Sequence, residues 1–508
     1  MSTILVSHPP GVSSSAWDPN RPLLTLGTDS WRIRDACEGV MIFGGTGSGK
    51  TSGSGAALAR AYLGAGFGGL VLCTKPEEPA QWRQYCAETG RAGDRIGFGG
   101  SEAPDLSFNF MDHEARRGGD GAGLTENLVQ LFVEVASLGA ENGAGRGGDP
   151  FWERAMRSLI RNCIDLLILS EGPVSLHGIS AILQSAPADP AQAKSPEWRA
   201  SSECWRRLES ATALSKGRPS AWDAHEVRAY WSEHFPALGD RTRGSIVAMF
   251  TTLAEPVMRG RMRELFCGET TLAPEQVLDG RVIVVELPLK EWGEVGRFAA
   301  VLWKYCVQKA IERRGDNASG LGRPVFIWAD ECQYFVSRHD TLFQSTARSS
   351  RAATVYLTQN YPNLVAALGG SAAGRSQIDS LMGNLGTKFF HANSDRDTNQ
   401  FAADLVGKRL QAFRSAGAGT NLGFGGSAGF GSSAHHGVSE HVDYEIQPRE
   451  WAVLAKGGPE NGFQTEALIF QNGRTWGPAG RTWQKVAFGQ RPAQQAIQLP
   501  LGRSIGRR

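Results

Sequence analysis

Short apolar runs closed by glycine or polar turns recur along the chain, separated by segments whose apolar residues return every three or four positions. Val40–Phe43, Gly68–Cys73, "RVIVVELP" at 281–288, Val325–Ala329, Thr354–Thr358 and Thr387–Ala392 read as buried strands. "SGSGAALARAYL" and "EVGRFAAVLWKYCVQKAIERR" read as helices, the second with Phe298, Leu302, Tyr305 and Cys306 on one face. Strands alternating with helices predict an α/β domain, a mostly parallel sheet covered on both faces. From about 113 to 240 the strand pattern stops. "LTENLVQLFVEVASL" carries Leu124, Leu128, Leu131, Val135 and Leu138 at helical spacing, and Asp149-Pro150 is a capped start for "FWERAMRSLIRNCIDLLIL". The expected organisation is therefore one α/β domain in two parts, 1–112 and 241–480, interrupted by an all-α insertion at 113–240 and followed by a tail, 481–508. Within the second part, 413–439 is almost all Gly, Ser and Ala, which predicts a flexible loop.

Composition narrows the class. At 508 residues, 41% hydrophobic and 20% charged, the chain reads as a soluble globular protein with room for several domains. No apolar run approaches the roughly 18 residues that a membrane span needs, and "MSTILVSHPPGV" lacks the pattern of a signal peptide. The expected location is the cytoplasm. The eight cysteines contain no CxxC pair, which fits reduced structural thiols. His435-His436 has no neighbouring partner set for a metal. A net charge of +2 does not announce a nucleic-acid binder, although a local basic groove remains compatible with it.

The candidate chemistry starts at "GGTGSGKT". Gly44, Gly45, Thr46, Gly47, Ser48, Gly49, Lys50 and Thr51 stand between the strand Val40–Phe43 and a helix, the context that a phosphate-binding loop requires. Glycines let backbone N–H groups turn onto phosphates, and the helix start adds positive potential. Lys50 would reach the outer phosphates of ATP, and Thr51 would offer its hydroxyl to Mg2+. Asp330-Glu331 follows the strand Val325–Ala329, at the strand end where ligands of parallel sheets bind. Asp330 would hold Mg2+ and Glu331 would orient the attacking water; the bland reading is a pair that caps the next helix. Gln359 ends the strand Thr354–Thr358, either as a γ-phosphate sensor or as a turn residue. Arg348 and Arg351 flank a helix end, where an arginine can act on a neighbouring subunit's nucleotide or simply face solvent. Arg206, Arg207, Lys216, Arg218 and Arg228 fit a nucleic-acid path or, interleaved with acids, a solvated helical face.

Taken in order, these blocks resemble the coupling ATPases of conjugation and type IV secretion, the TraD/TraG class within the HerA/FtsK group of hexameric translocases. The resemblance runs from about 35 to 475. It includes "SFNFMD" (Ser107–Asp112), "FWERAMRSLI", "TRGSIVAMFTTL" (Thr242–Leu253), "ARSSRAATVYLTQN", "NSDRDTNQFAADLVGK" and "YEIQPREWAVL". It implies a RecA-like P-loop nucleotide-binding domain with an inserted all-α domain. Arg348, eleven residues before Gln359, falls on the family's arginine-finger position; Gln359 becomes the sensor and Glu331 the catalytic glutamate. It also implies a homo-hexamer with ATP sites between subunits, which draws single-stranded DNA, often with an attached relaxase, toward a secretion apparatus. Most members begin with a membrane anchor, and this chain shows none, so any membrane role, at the inner face, would run through a partner protein. The "TKPEE" turn departs from the family's Asp-rich turn.

The reading that results is an ATP-hydrolysing DNA translocase that couples substrate to conjugation or type IV secretion. Its rivals are a HerA-like double-strand translocase in defence or repair, and an ATP-gated adaptor for protein cargo.

Overall fold

The computed structural model describes residues 17–119, 123–139, 150–314, 322–422 and 430–491. A small antiparallel pair comes first, β1 (Pro22–Leu26) with β2 (Asp29–Arg32). Then follow β3 (Val40–Phe43), β4 (Gly68–Leu72), β5 (Arg95–Phe98), β6 (Val282–Val285), β7 (Val325–Ala329), β8 (Ala352–Thr358), β9 (Thr387–His391), β10 (Lys408–Leu422), β11 (Phe430–Tyr444), β12 (Gln464–Gln471) and β13 (Trp483–Gly489). Nine of them form one sheet in the order β13-β12-β9-β3-β8-β7-β4-β6-β5. All neighbours from β9 to β5 are parallel; β12 and β13 join antiparallel at one edge. The predicted α/β class is what the structure has.

Alternation along the strands sorts the side chains onto two faces. Met41 and Phe43 point into one core, Val40 and Ile42 into the other. The second core is closed by β1–β2 and by the helices Ala56–Gly64 and Glu78–Glu88, through Trp31, Tyr62 and Trp82. The first is shared with the helical region, where Phe98 and Phe108 pack on Trp303 of the helix Leu289–Arg313.

Between β5 and β6 the described residues contain no strand. Helices run Phe110–Arg116, Thr125–Gly139, Pro150–Leu169, Leu176–Ser185, Glu203–Ser215 and Ala221–Ala229, and continue past 240 as Asp240–Ala254 and Gly260–Phe266. Phe250 stacks on Phe132, so the helix that follows 240 packs with those before it. The chain leaves and re-enters the sheet through a stitched seam: Phe108 N donates to Leu265 O at 2.7 Å and Thr271 N to Ser107 O at 2.9 Å.

Two expectations are corrected. The Gly/Ser/Ala stretch 413–439 is not a loop throughout. It supplies most of β10 and β11, a two-stranded antiparallel ladder paired from Lys408↔Tyr444 to Leu422↔Phe430. Backbone pairing needs no large side chain, so a composition that cannot build a core can still build a ribbon; 423–429 lie outside the described residues. Nor is 481–508 all tail. Trp483–Gly489 is an edge strand of the main sheet, paired along β12, with Val486, Ala487 and Phe488 buried. Its alternation is interrupted by polar Gln484 and Lys485, which hid it from a hydrophobic pattern. Asp149, the N-terminal twelve residues and the closing "GRSIGRR" fall outside the described residues, as do the side chains of His435 and His436.

Candidate active site

Strand β3, which leads into the glycine loop, is central in the sheet, and the acid-bearing strand β7 is next but one to it, with β8 between them. Three strand ends therefore deliver their next residues to one place. From β3 comes the loop Gly44–Thr51, from β7 come Asp330 and Glu331, and from β8 comes Gln359. The loop closes into a single π-type turn, Thr51–Gly55, before the helix Ala56–Gly64. Gly47 and Gly49 take φ of +73° and +84°, values that an L side chain resists.

The predicted residues meet side chain to side chain. Lys50 Nζ lies 3.0 Å from Glu331 Oε1, a buried ion pair. Thr51 Oγ1 donates to Asp330 Oδ2 at 2.6 Å. Gln359 Nε2 reaches Glu331 Oε1 at 3.4 Å, and Gln333 Nε2 donates to Glu331 Oε2 at 3.0 Å. Burial pushes the Glu331 carboxyl up, but the Lys50 ammonium and the bonds from Gln333, Lys50 and Gln359 outweigh it. The group is held below the ordinary carboxylate range. Glu331 also sits at φ +53°, left-handed backbone that costs a non-glycine residue about 1–3 kcal/mol. Strain of this kind concentrates at functional sites.

A cavity of about 400 Å3 opens over these groups, lined by Gly45–Ser52, Thr74, Lys75, Lys290, Glu331, Tyr334 and Gln359. The donors fit a polyphosphate: backbone amides of a glycine loop, Lys50, and two further lysines. The Ser48 hydroxyl is buried and finds no partner in the protein, as a loop built to close on a ligand would leave it. The Thr51–Asp330 pair fits Mg2+, whose habit is to take few protein ligands and keep its waters.

Lys75, Lys290, Tyr334, Gln333 and Glu78 were missed by sequence reasoning. Lys75 and Glu78 belong to the "TKPEE" turn, whose position after β4 at the ligand-binding end of the sheet was the available signal. Lys75 Nζ is 3.9 Å from Asp330 Oδ2; partial burial lowers its pKa, but Asp330, Glu78 and Glu331 win and raise it. Glu78 accepts from Thr74 N at 2.7 Å, and burial together with Asp330 pushes its carboxyl up to about 8.

Arg348 stands apart from this cluster. It follows the helix Arg338–Thr346, is 71% exposed and lies 3.4 Å from Glu38. Arg351 is instead buried, with its guanidinium on Trp17 O. Arg206 and Arg207 pair with Glu203, Arg228 with Glu209 and Arg218 with Glu171, so these cations are largely matched by acids. Among the described residues no cluster of His, Cys, Asp and Glu is arranged as a metal-binding group, and all eight cysteines are free. No helix there is long and apolar enough to cross a membrane.

No protein-family model matches the chain, and no curated protein matches it. Solved structures do. The bacterial conjugative coupling protein TrwBdeltaN70, in an unbound monoclinic form, superposes with a TM-score of 0.57 at 13% identity, over 95% of this chain and 93% of that one. The plasmid coupling protein TrwB in complex with ADP and Mg2+ gives 0.56 at 14% identity, over 95% and 94%. TrwB with the non-hydrolysable ATP analogue ADPNP gives 0.56 at 13%, over 95% and 94%. With strand order, helical interruption and phosphate loop in place across nearly its whole length, this chain has the fold of the conjugative coupling protein TrwB.

Proposed function

We propose that the chain is an Mg2+-dependent ATPase that works as a coupling-type motor, moving DNA toward a conjugation or type IV secretion apparatus. The observation that carries the ATPase reading is the convergence at neighbouring strand ends of Lys50, Thr51, Glu331 and Gln359, which line one cavity, with Asp330 bonded to Thr51. The bound nucleotide and Mg2+ of the TrwB structures support ATP and Mg2+ as its ligands.

In this reading the loop amides and Lys50 grip the β- and γ-phosphates, and Thr51 and Asp330 hold Mg2+. That ion would neutralise charge on the phosphate oxygens. Lys50 must first exchange its ion pair with Glu331 for phosphate, which frees the Glu331 carboxylate to orient and accept a proton from water. Gln359 bridges the Glu331 carboxylate and, through its carbonyl, Asn393 Nδ2 at 2.7 Å, so it is placed to pass a change at the site to the loop after β9. The exposed Arg348 would act on the nucleotide of an adjacent subunit in a homo-hexamer. Single-stranded DNA, with or without a relaxase, is the substrate favoured by the likeness to coupling proteins. The cytoplasm is the working place that this reading favours.

ATP turnover by the purified protein without DNA, with single-stranded DNA and with duplex tests this. Stimulation by single strands, lost in Lys50→Ala and Arg348→Ala, is the expected result. Stimulation by duplex alone would move the reading to a double-strand translocase. Turnover indifferent to DNA would sink the DNA motor and favour an adaptor for protein cargo.

A further inference from the structure

Against the glycine loop, and not among the residues that line the cavity, lies a buried polar group that the reaction above does not use. Thr465, on the antiparallel strand β12, donates its hydroxyl to the Ser48 carbonyl at 2.5 Å. The same oxygen is 3.4 Å from His391 Nδ1 and 3.3 Å from Ala455 O. His391, at the end of β9, meets Ser54 Oγ with its Nε2 at 2.7 Å, and Ser54 Oγ lies 3.3 Å from the Lys50 carbonyl. Thr465, His391 and Ser54 are fully buried. Thr465 also presses directly on the loop. A Cβ built at Gly49 would fall 2.8 Å from Thr465 Cβ, and one at Gly53 would fall 2.3 Å from its Cγ2. Next to it, Gln490 Nε2 donates to Ser52 Oγ at 2.7 Å while its Oε1 accepts from Gly458 N at 2.6 Å.

A trans peptide points its C=O and N–H in opposite directions. By capturing the Ser48 carbonyl, Thr465 turns the Gly49 amide of the same peptide away from β12, and Ser48 and Gly49 both line the cavity. We propose that Thr465 is a positioning residue of the phosphate loop, which sets the Ser48–Gly49 peptide so that the Gly49 amide faces a bound phosphate. The antiparallel edge of the sheet thereby becomes part of the nucleotide site, and Gln490 extends the same hold to Ser52. The device explains why two glycines stand where Thr465 approaches, and why a threonine is buried in an otherwise apolar register position opposite Phe488. It rests on the phosphate-loop reading of Gly44–Thr51.

Thr465→Val keeps the shape and removes the hydroxyl; Thr465→Ser keeps the hydroxyl and removes a methyl. Both are compared with the wild type for MgADP affinity by calorimetry, for KM and kcat of ATP turnover, and for the thermal midpoint without nucleotide. Expected is a roughly tenfold weaker MgADP affinity and a raised KM in Thr465→Val, from one lost hydrogen bond and its orphaned partner. Thr465→Ser should stay within about twofold of wild type in affinity even where its thermal midpoint drops from the lost packing. Wild-type affinity in Thr465→Val overturns the proposal and leaves the phosphate-loop reading intact. Affinity that simply follows the thermal midpoint across both variants also overturns it, and makes Thr465 a brace of the fold alone. Failure of the wild type itself to bind MgADP would remove the phosphate-loop reading and this proposal together.

Discussion

Lys50 and Glu331 form a buried ion pair, Nζ to Oε1 at 3.0 Å, across 281 residues of sequence. The residue that the proposed reaction needs for phosphate and the residue that it needs for water are paired with each other. In the proposed reaction, phosphate and Glu331 would compete for the same lysine. Glu331→Gln should release Lys50, leaving nucleotide affinity equal or tighter, while turnover falls about 100- to 10,000-fold for want of a base. Lys50→Ala should do the reverse first, weakening MgATP about 10- to 100-fold. Equilibrium binding and single-turnover rates on the two variants separate these effects.

Against the upward push of burial, Lys50 first, and then the bonds from Gln333 and Gln359, hold the Glu331 carboxylate below its ordinary pKa. If Glu331 is the base of the proposed hydrolysis it acts above its pKa, so the acid limb of the kcat/KM profile, which reports the free enzyme with its Lys50 pair intact, should lie at low pH in the wild type. Removing a donor in Gln359→Ala should move that limb to higher pH and lower the plateau. A pH–rate profile that keeps its acid limb in the variant would show that Gln359 does not tune Glu331.

Arg348 is exposed, and among the described residues its ion pair is with the partly exposed Glu38. If it serves a neighbour, Arg348→Ala should cut turnover by about a thousandfold while MgATP affinity stays near wild type. Mixing the inactive Arg348→Ala and Lys50→Ala proteins should restore a measurable fraction of activity, because a mixed interface pairs an intact loop with an intact arginine. No recovery on mixing would place Arg348 outside the reaction.

His391 is buried beneath the phosphate loop, and burial lowers its pKa to about 3, the neighbouring Lys50 charge adding to this and a bond to the Glu466 backbone opposing it. In the unfolded chain its pKa is about 6.5. Between those values the unfolded state binds the extra proton, so stability is full above pH 6.5 and is lost as pH falls toward 3. The loss is on the order of 1.4 kcal/mol per pH unit over that window. Denaturant unfolding followed from pH 7 to pH 4 should show this slope in the wild type and a shallower one in His391→Gln.

Lys304 and Asp340 make a fully buried pair at 2.5 Å, and Asp340 also accepts from Tyr356 Oη at 2.7 Å, Gln308 Nε2 at 2.8 Å and Ser337 N at 2.6 Å. Burial would raise the Asp340 pKa, but Lys304 leads the groups that hold it low. Lys304 bonds as well to the Phe335 carbonyl, which ties the turn after Glu331 to the helix Leu289–Arg313. Lys304→Met should destabilise the fold by about 3–5 kcal/mol, because it strands a buried carboxylate. Lys304→Met with Asp340→Asn should recover part of that, since the amide carries no charge yet still accepts. Chemical denaturation midpoints test both.

The sequence alone determined what is local. A glycine loop, its lysine and its threonine are consecutive, and the strand–loop–helix rhythm around Gly44–Thr51 is written in one stretch. Asp330, Glu331 and Gln359 were legible because parallel sheets bind ligands at strand ends and each residue directly follows an apolar run. The sheet and the helical stretch were legible from periodicity for the same reason. The tertiary structure decided what depends on distant partners. Thr465 lies 417 residues from the carbonyl it holds, and His391 lies 337 from Ser54; no spacing rule links them. Strand β13 exists because β12 offers it a ladder and a buried face, and β10–β11 because backbone pairing supplied what the Gly/Ser composition withheld. The meeting of Glu331 with Lys50 and Gln359 likewise follows from three strands ending side by side, which the order of the sheet settles and the order of the chain does not.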